Sequence, residues 1–478
     1  LGLTFFFAMN TIHLYSLVLT LILPSVLIGS EKLSANPQPN IILIFVDDMA
    51  YGDASCYDGT LIETPHIDRL AEAGIRFTQG YTISPVCGPS RVGLLTGTQP
   101  GRFGIYWNPD MGAVQIPSDR PLLSVQLSNA GYTTGIVGKW NLSNPHWDPM
   151  PVKKYFDHTY NTMVWEGDYW PNEDGHYHGV EDKKYGSTKT NNVWGPTKQG
   201  DEYLTDILSN NACEFISQNS GSEKPFFLYL AYNAPHSPLQ GKAIHKEKLA
   251  HIQSEALKLY ASMLLSVDEG VGKILDTIEA QGIKEDTLVV FLSDNGPAVT
   301  NFKGLPKAWP RDQMLGSTNG LRGRKGQYFE GGIRVPFIAS WPGQIKPNQS
   351  SNQLVSAMDL YPTFSTLAGI ELPQNHPFEG RDLAPLFQSS KKDLEQKNIF
   401  WIGGRVGKNC GALRSGHWKL LVNHQGADYL FNLKDDPYEA EDLKHKNPKR
   451  YQELKALFNK EISTMPEPKT DRSKLKNR

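Results

Sequence analysis

Four short apolar runs, rich in β-branched and aromatic residues, punctuate the chain: IILIFV at 41–46, TTGIV at 133–137, FFLYLAY at 226–232 and TLVVFLS at 287–293. Helical periodicity lies between them at Asp201 to Gln218 and Lys246 to Ala280, and Thr64 before Pro65 reads as a helix cap with proline at the first helical position. Continuous apolar runs alternating with helices predict an α/β fold whose mainly parallel sheet is covered on both faces. Beyond residue 375 the pattern changes: NIFWIG, ALRSGHWKLLV and ADYLFNL read as short antiparallel strands, and Pro448 to Ile462 as a helix. That predicts a smaller C-terminal α+β subdomain. The expected division is residues 1–35 as a leader, 36–375 as the main domain and 376–478 as the subdomain.

Polar residues follow every run: Asp47 and Asp48 the first, Lys139 the second, His236 the third, Asp294 and Asn295 the fourth. In open α/β sheets the ligand crevice lies outside the carboxyl ends of the strands, so residues far apart in sequence can converge there. Any one of these groups alone reads equally well as a turn or a cap. Their recurrence after four separate strands points to one site.

The formal charge of -2 over 478 residues leaves no global field to draw nucleic acid or an anionic membrane surface. An anion must therefore be captured by a local site. Leu14 to Ile28 is apolar and uncharged, too short for a convincing spanning helix, and interrupted by Pro24. With small residues at Gly29, Ser30, Ser34 and Ala35 and a polar linker from Glu31 to Pro39, it reads as a cleaved signal peptide. This predicts a periplasmic or secreted protein without a stable membrane anchor. Cys56, Cys87, Cys213 and Cys410 lack the close pairing of a zinc or dithiol site, and with Cys87 set aside at most one disulfide can form.

Cys87 precedes Pro89 and Ser90, both natural helix-start residues, and so is expected at a helix N-terminus. Free backbone N–H groups there favour an anion, and Arg91 adds fixed positive charge. The place suits a tetrahedral oxyanion.

The stretch Cys87-Gly-Pro-Ser-Arg-Val-Gly-Leu-Leu-Thr-Gly97 resembles the signature of type I, formylglycine-dependent sulfatases of the alkaline phosphatase superfamily. PNIILIFVDDMAYGD, GKW at 138–140, NAPHSP at 233–238, SDNG at 293–296 and LRGRKGQYFEGGIRVPFI at 321–338 extend the resemblance over the chain after the leader. It implies an alkaline-phosphatase-like α/β/α sandwich in which a maturation enzyme converts Cys87 to formylglycine. It also implies one calcium ion per chain, bound by Asp47, Asp48, Asp294 and Asn295. Hard oxygen ligands suit such a cation, and adjacent carboxylates repel unless one joins them. The resemblance further assigns Lys139 and Lys325 to the sulfate oxygens and leaving group, Arg91 to holding the formylglycine and metal ligands, and His236 to protonating the departing alcohol. One hydroxyl of the hydrated aldehyde would attack sulfur, and loss of the second hydroxyl's proton would expel sulfate.

One position departs from the family. Where its common motif is GKWHLG, this chain reads Gly138-Lys-Trp-Asn-Leu-Ser143, so Asn141 replaces a histidine credited with proton transfer. An amide can hydrogen-bond the diol or a sulfate oxygen but cannot act as that base. The expected substrate is a sulfated oligosaccharide or polysaccharide, more narrowly a marine galactan such as carrageenan, with Trp165, Tyr169, Trp170, Tyr177 and Trp194 as candidates to stack on sugar rings. Two other readings remain at this point: a phosphate or phosphonate ester hydrolase of the same superfamily, and a catalytically weak protein that binds sulfated glycans.

Overall fold

In the computed structural model, which describes residues 38–108, 110, 120–142, 151–163, 168–171, 193–195, 202–301, 306–372, 378–388, 394–404 and 407–468, the four apolar runs become strands. The leader, 1–35, lies outside these residues. In chain order the strands are β1 (Asn40–Val46), β2 (Ile75–Tyr81), β3 (Thr133–Lys139), β4 (His158–Met163), β5 (Val193–Gly195), β6 (Phe226–Ala231), β7 (Gln240–Lys242), β8 (Thr287–Ser293), β9 (Phe337–Ser340), β10 (Gln349–Ser356), β11 (Ile399–Ile402), β12 (Gly411–Ser415), β13 (Trp418–His424) and β14 (Ala427–Asn432). The α-helices are α1 (Pro65–Glu72), α2 (Cys87–Thr96), α3 (Leu123–Asn129), α4 (Leu204–Asn219), α5 (Glu255–Ala280), α6 (Glu330–Ile333), α7 (Leu360–Leu367), α8 (Ala384–Gln388) and α9 (Pro448–Ser463).

The main sheet runs β10-β2-β9-β8-β1-β6-β3-β4 and is parallel except for β9, which is antiparallel to both neighbours. Alternate residues of the central strand β1 feed opposite faces. Ile42, Ile44 and Val46 join a core with Leu70 of α1, Leu208 of α4 and Leu264 of α5. Ile41, Leu43 and Phe45 join another with Val92 of α2, Leu127 of α3 and Phe364 of α7. Register then aligns the carboxyl ends, since Val46 pairs with Ser293, Phe45 with Ala231, and Ala231 with Gly138. Whatever follows these residues leaves the sheet along one edge.

Differences from the sequence reading are local. Helix α5 starts at Glu255 rather than Lys246, because the Ser254 hydroxyl caps it by accepting from the Leu257 N–H at 3.4 Å. Pro65 does open α1, but the Thr64 hydroxyl accepts instead from the Ser55 N–H at 2.8 Å. The N–H groups of His66 and Ile67 go to Asp268 of α5, at 3.1 and 2.9 Å. Strand β10, QSSNQLVS, lies at the sheet edge and is partly exposed, so it lacks the apolar signature of its neighbours. All four cysteines are unbridged. Among the described residues no helix is long and apolar enough to cross a membrane.

The C-terminal strands form an antiparallel sheet, β11-β12-β13-β14. Leu413, Leu420 and Leu430 pack on Leu454 and Phe458 of α9, whereas Trp401, Leu421 and Phe431 pack on Tyr81, Phe329 and Ile333 of the main body. A buried ionic joint reinforces that second contact. Lys419 Nζ lies 2.8 Å from Glu330 Oε1 and 2.9 Å from Glu439 Oε1, and the Tyr81 hydroxyl donates to Glu330 Oε2 at 2.6 Å. Against the upward push of burial, Lys419, Arg414 and Arg334 hold the Glu330 carboxyl down at about 2. Burial and the neighbouring Glu330 push Glu439 up to about 7, against the pull of Lys419.

Removing the cation from such a joint strands buried carboxylates. Lys419→Met is therefore expected to lower the unfolding free energy by about 3–5 kcal/mol, read from denaturant midpoints at constant m-value. A midpoint equal to that of the wild type would contradict this account of how the two sheets are joined.

Candidate active site

The edge where β1, β8, β6 and β3 end collects the polar residues that follow them. Asp48 takes a left-handed φ of 67°, and its N–H donates to Asp294 Oδ1 at 3.3 Å. The Asp294 N–H in turn donates to the Val46 carbonyl at 2.9 Å, so the residues following β1 and β8 hold each other. Below this turn Asp53 is fully buried and accepts the N–H groups of Ala50 and Ser317, each at 2.8 Å, and the Tyr260 hydroxyl. Burial pushes its carboxyl up to about 7, although these hydrogen bonds pull the other way.

Cys87 is the first residue of α2, as its place before Pro89 and Ser90 suggested, and is only 3% exposed. The Ser90 hydroxyl donates to the Asp294 carbonyl at 2.7 Å, which ties the first turn of α2 to the end of β8. Arg91 is wholly buried. Its guanidinium lies 2.7 Å from Asp294 Oδ2 and 3.9 Å from Asp47 Oδ2, donates to the Lys139 carbonyl at 3.1 Å, and stacks over the Phe45 ring at 5.1 Å. Two amides reach the cysteine: Asn141 Nδ2 and Asn108 Nδ2 each lie 3.3 Å from Cys87 Sγ.

Both candidate lysines reach this edge, each paired with a carboxylate. Lys139 Nζ contacts Asp47, and Lys325 Nζ lies 2.6 and 2.9 Å from the two oxygens of Asp48. His236 Nδ1–H donates to the Ser237 carbonyl at 2.7 Å, which turns Nε2 toward Asp48 Oδ2 at 3.7 Å. Burial would raise the Asp47 carboxyl, but Lys139, His236, Arg91 and Lys325 together hold it well below the usual carboxylate range. Asp294 moves oppositely, to about 6, under burial and the charge of Asp47, with Arg91 and Lys139 opposing. Asp48 holds Lys325 above the ordinary lysine range despite burial.

The donor set fits a hard divalent cation. Asp47 Oδ1 and Asn295 Oδ1 are buried and have no hydrogen-bond partner among the described residues, although an unpaired buried oxygen is costly. Asp47, Asp48 and His236 also present ligand atoms within 4.8 Å of one another. Carboxylate and amide oxygens of this kind suit calcium or magnesium.

The aromatic candidates fare differently. Tyr169 is 1% exposed, and its hydroxyl donates to the His236 carbonyl at 2.9 Å, so it supports the histidine loop instead of offering a face to a sugar. Trp170 is half-buried against Tyr203, with ring centroids 4.9 Å apart. Trp165, Tyr177 and the side chain of Trp194 lie outside the described residues. Sequence reasoning passed over Asn108, whose one signal was an Asn-Pro pair that reads as a turn, and Tyr229, whose hydroxyl lies 3.4 Å from Arg91 inside a uniformly apolar strand.

A family model described as Sulfatase matches residues 39–370, and one described as N-sulphoglucosamine sulphohydrolase, C-terminal, matches residues 324–467. The N-acetylgalactosamine-6-sulfatase of Sus scrofa is 33% identical over 430 residues, covering 84% of this chain and 76% of that protein. The crystal structure of Ps i-CgsB aligns with a TM-score of 0.75 and 31% identity, covering 91% of this chain and 95% of the other. Ps i-CgsB in complex with k-i-k-neocarrahexaose aligns with the same score and identity over 90% and 94%.

Lys139 owes its position to the residue before it. Gly138 has a φ of 93°, and a Cβ there would stand 2.2 Å from the Ala231 carbonyl oxygen. Gly138→Ala should cost about 1–3 kcal/mol of stability through forced backbone strain and reduce turnover by displacing Lys139. Denaturation and rate assays with both parameters unchanged would show that the close approach is not required.

Proposed function

The chain belongs to the sulfatase family of sulfuric ester hydrolases, within the alkaline phosphatase-like superfamily, and we propose that it desulfates a sulfated galactan such as carrageenan, using Cys87 converted to formylglycine beside one calcium ion. The observation that carries this reading is the juxtaposition at one sheet edge of Cys87, three basic side chains, three carboxylates and two unpartnered ligand oxygens. The carbohydrate part rests on similarity to Ps i-CgsB, which has been captured with k-i-k-neocarrahexaose. The apolar run Leu14 to Ile28 supports export to the periplasm or medium, where such polymers are met.

Conversion of Cys87 by a maturation enzyme supplies a carbonyl whose hydrate carries the attacking oxygen. Asp47, Asp48, Asp294 and Asn295 would hold the calcium ion, which when bound supplies Lewis acidity to the oxygens around sulfur. The remaining work falls to the chain's own residues. Lys139 and Lys325, now spent on Asp47 and Asp48, would turn their ammonium groups to the sulfate oxygens once a cation shares those carboxylates. His236, with Nδ1 committed to the Ser237 carbonyl, keeps Nε2 to hand a proton to the departing sugar oxygen. Arg91 fixes Asp294 and the end of β3, and Asn141 orients the side chain at position 87.

Protein produced with the maturation machinery is expected to carry formylglycine at position 87 by peptide mass and to release sulfate from defined sulfated galactan oligosaccharides faster than from aryl sulfates. Cys87→Ala should keep the fold and lose that release. Full activity from protein bearing only an unmodified thiol would refute the nucleophile, and preference for aryl or steroid sulfates over every sugar tested would refute the substrate.

His236→Ala is expected to cut turnover severely, most on esters with poorly leaving alcohols, while Asn141→Ala cuts it moderately on good and poor leaving groups alike. Equal losses for the two variants across both ester types would show that proton delivery does not belong to His236.

A further inference from the structure

We infer that Asn108 is a further catalytic residue, one that grips the reacting side chain at position 87 through its amide N–H and forms with Asn141 a pair of donors on the same atom. This deepens the proposed sulfatase reading and rests on it. Asn108 Nδ2 lies 3.3 Å from Cys87 Sγ, and Asn108 Oδ1 accepts the Gly88 N–H at 3.1 Å. The second contact decides the orientation of the first. Gly88 lies in the first turn of α2, where N–H groups have no intrahelical partner. Only the amide oxygen can accept that hydrogen, so the group facing Cys87 must be the NH2, a donor without useful basicity.

The turn that presents Asn108 is itself held. Asp110 is buried, and its Oδ2 accepts the Tyr106 N–H at 2.8 Å and the Trp107 N–H at 2.9 Å, while its own N–H donates to the Trp107 carbonyl at 2.9 Å. Tyr106 is 1% exposed, and its hydroxyl donates to the Gly101 carbonyl at 3.1 Å. Asn141 comes from another part of the chain, just past β3, with a left-handed φ of 51°, and places its own Nδ2 3.3 Å from the same sulfur.

Cys87 Sγ stands where an oxygen bonded to the same carbon stands after conversion. Two preorganised amide donors aimed at that oxygen favour negative charge on it and restrict rotation of the side chain that carries it. Asn108 makes and breaks no bond in the reaction. It sets the charge and direction of the attacking group.

The test uses Asn108→Asp and Asn108→Ala in the full chain, with conversion at position 87 quantified by peptide mass. Asn108→Asp keeps an acceptor for the Gly88 N–H but removes the donor; Asn108→Ala removes both. Both are expected to lower kcat roughly 100-fold at equal conversion, with KM little changed and the melting temperature of Asn108→Asp preserved. A wild-type kcat for Asn108→Asp at equal conversion would overturn the donor role and leave Asn108 as a brace for Gly88. Failure of the sulfatase reading shows differently: fully converted wild type would release no sulfate from any ester, whereas failure of the donor role alone leaves that release at the wild-type rate in Asn108→Asp.

Discussion

Six charged side chains share a space from which water is nearly excluded, and each is tolerable there only because of the others. Asp47, Asp294 and Arg91 are completely buried, and Asp48 and Lys139 nearly so. An isolated charge in such surroundings would cost several kcal/mol, and burial does push Asp294 up to about 6. The remaining contacts answer that cost pair by pair: Arg91 with Asp294, Lys139 with Asp47, Lys325 with Asp48. Three acids against three bases leave the cluster close to neutral. On the proposed reading, a bound dication tips the balance positive and frees the lysines, and a positive, largely dehydrated pocket suits a sulfate ester better than bulk water does.

The fold can be understood as what it takes to keep those charges in register. Parallel pairing of β1 with β8 and β6 delivers Asp47, Asp48, Asp294 and the His236 loop to one edge, and β3 brings Lys139 beside them. Lys325 has no strand to carry it. It sits in a loop whose own N–H donates to the Pro297 carbonyl at 2.8 Å and whose far end, α6, is gripped by the C-terminal sheet. There the Glu330 N–H donates to Glu439 Oε2 at 2.6 Å, and Arg322 donates to the Glu439 carbonyl at 2.7 Å while stacking over Phe329 at 4.0 Å. Lys419 bridges Glu330 and Glu439. The C-terminal sheet thus places one arm of the charge cluster, and the joint that attaches it repeats the physics of the site: buried carboxylates made stable by a buried cation.

Much of this was legible in the residue pattern, for a physical reason. A strand buried on both faces must be apolar throughout, so β1, β6 and β8 announce themselves, and the polar residues that end them stand out. The C-terminal strands and α9 were legible in the same way. What escaped notice lacks any such contrast. Strand β10 is half solvated and reads as a polar loop; Tyr229 hides its hydroxyl in an apolar run; Asn108 belongs to a turn whose partner, Gly88, is made only by tertiary packing. Tyr169 misled in the opposite sense, since an aromatic in a polar segment looks available for a ligand, whereas its hydroxyl is needed to satisfy the His236 carbonyl in the interior.

The amide at position 141 has a consequence for where protons can reside. Asn141 Nδ2 faces Cys87, and Asn108 Nδ2 faces it too, so both groups nearest the reacting side chain donate hydrogen and neither can take one away. Lys139 and Lys325 are held as ammonium by Asp47 and Asp48. His236 has one nitrogen engaged with the Ser237 carbonyl, which leaves Nε2 as its exchangeable site. A histidine at position 141 would have split acid and base duties between two imidazoles. With asparagine there, the proposed chemistry runs the proton given to the leaving alcohol and the proton taken for sulfate release through a smaller set of groups, with His236 serving both steps or water serving the second. Two donors on the attacking oxygen ease its own deprotonation, because an oxygen already stabilised as an anion asks less of whatever base removes its proton, and they leave the second hydroxyl's proton to His236 or water.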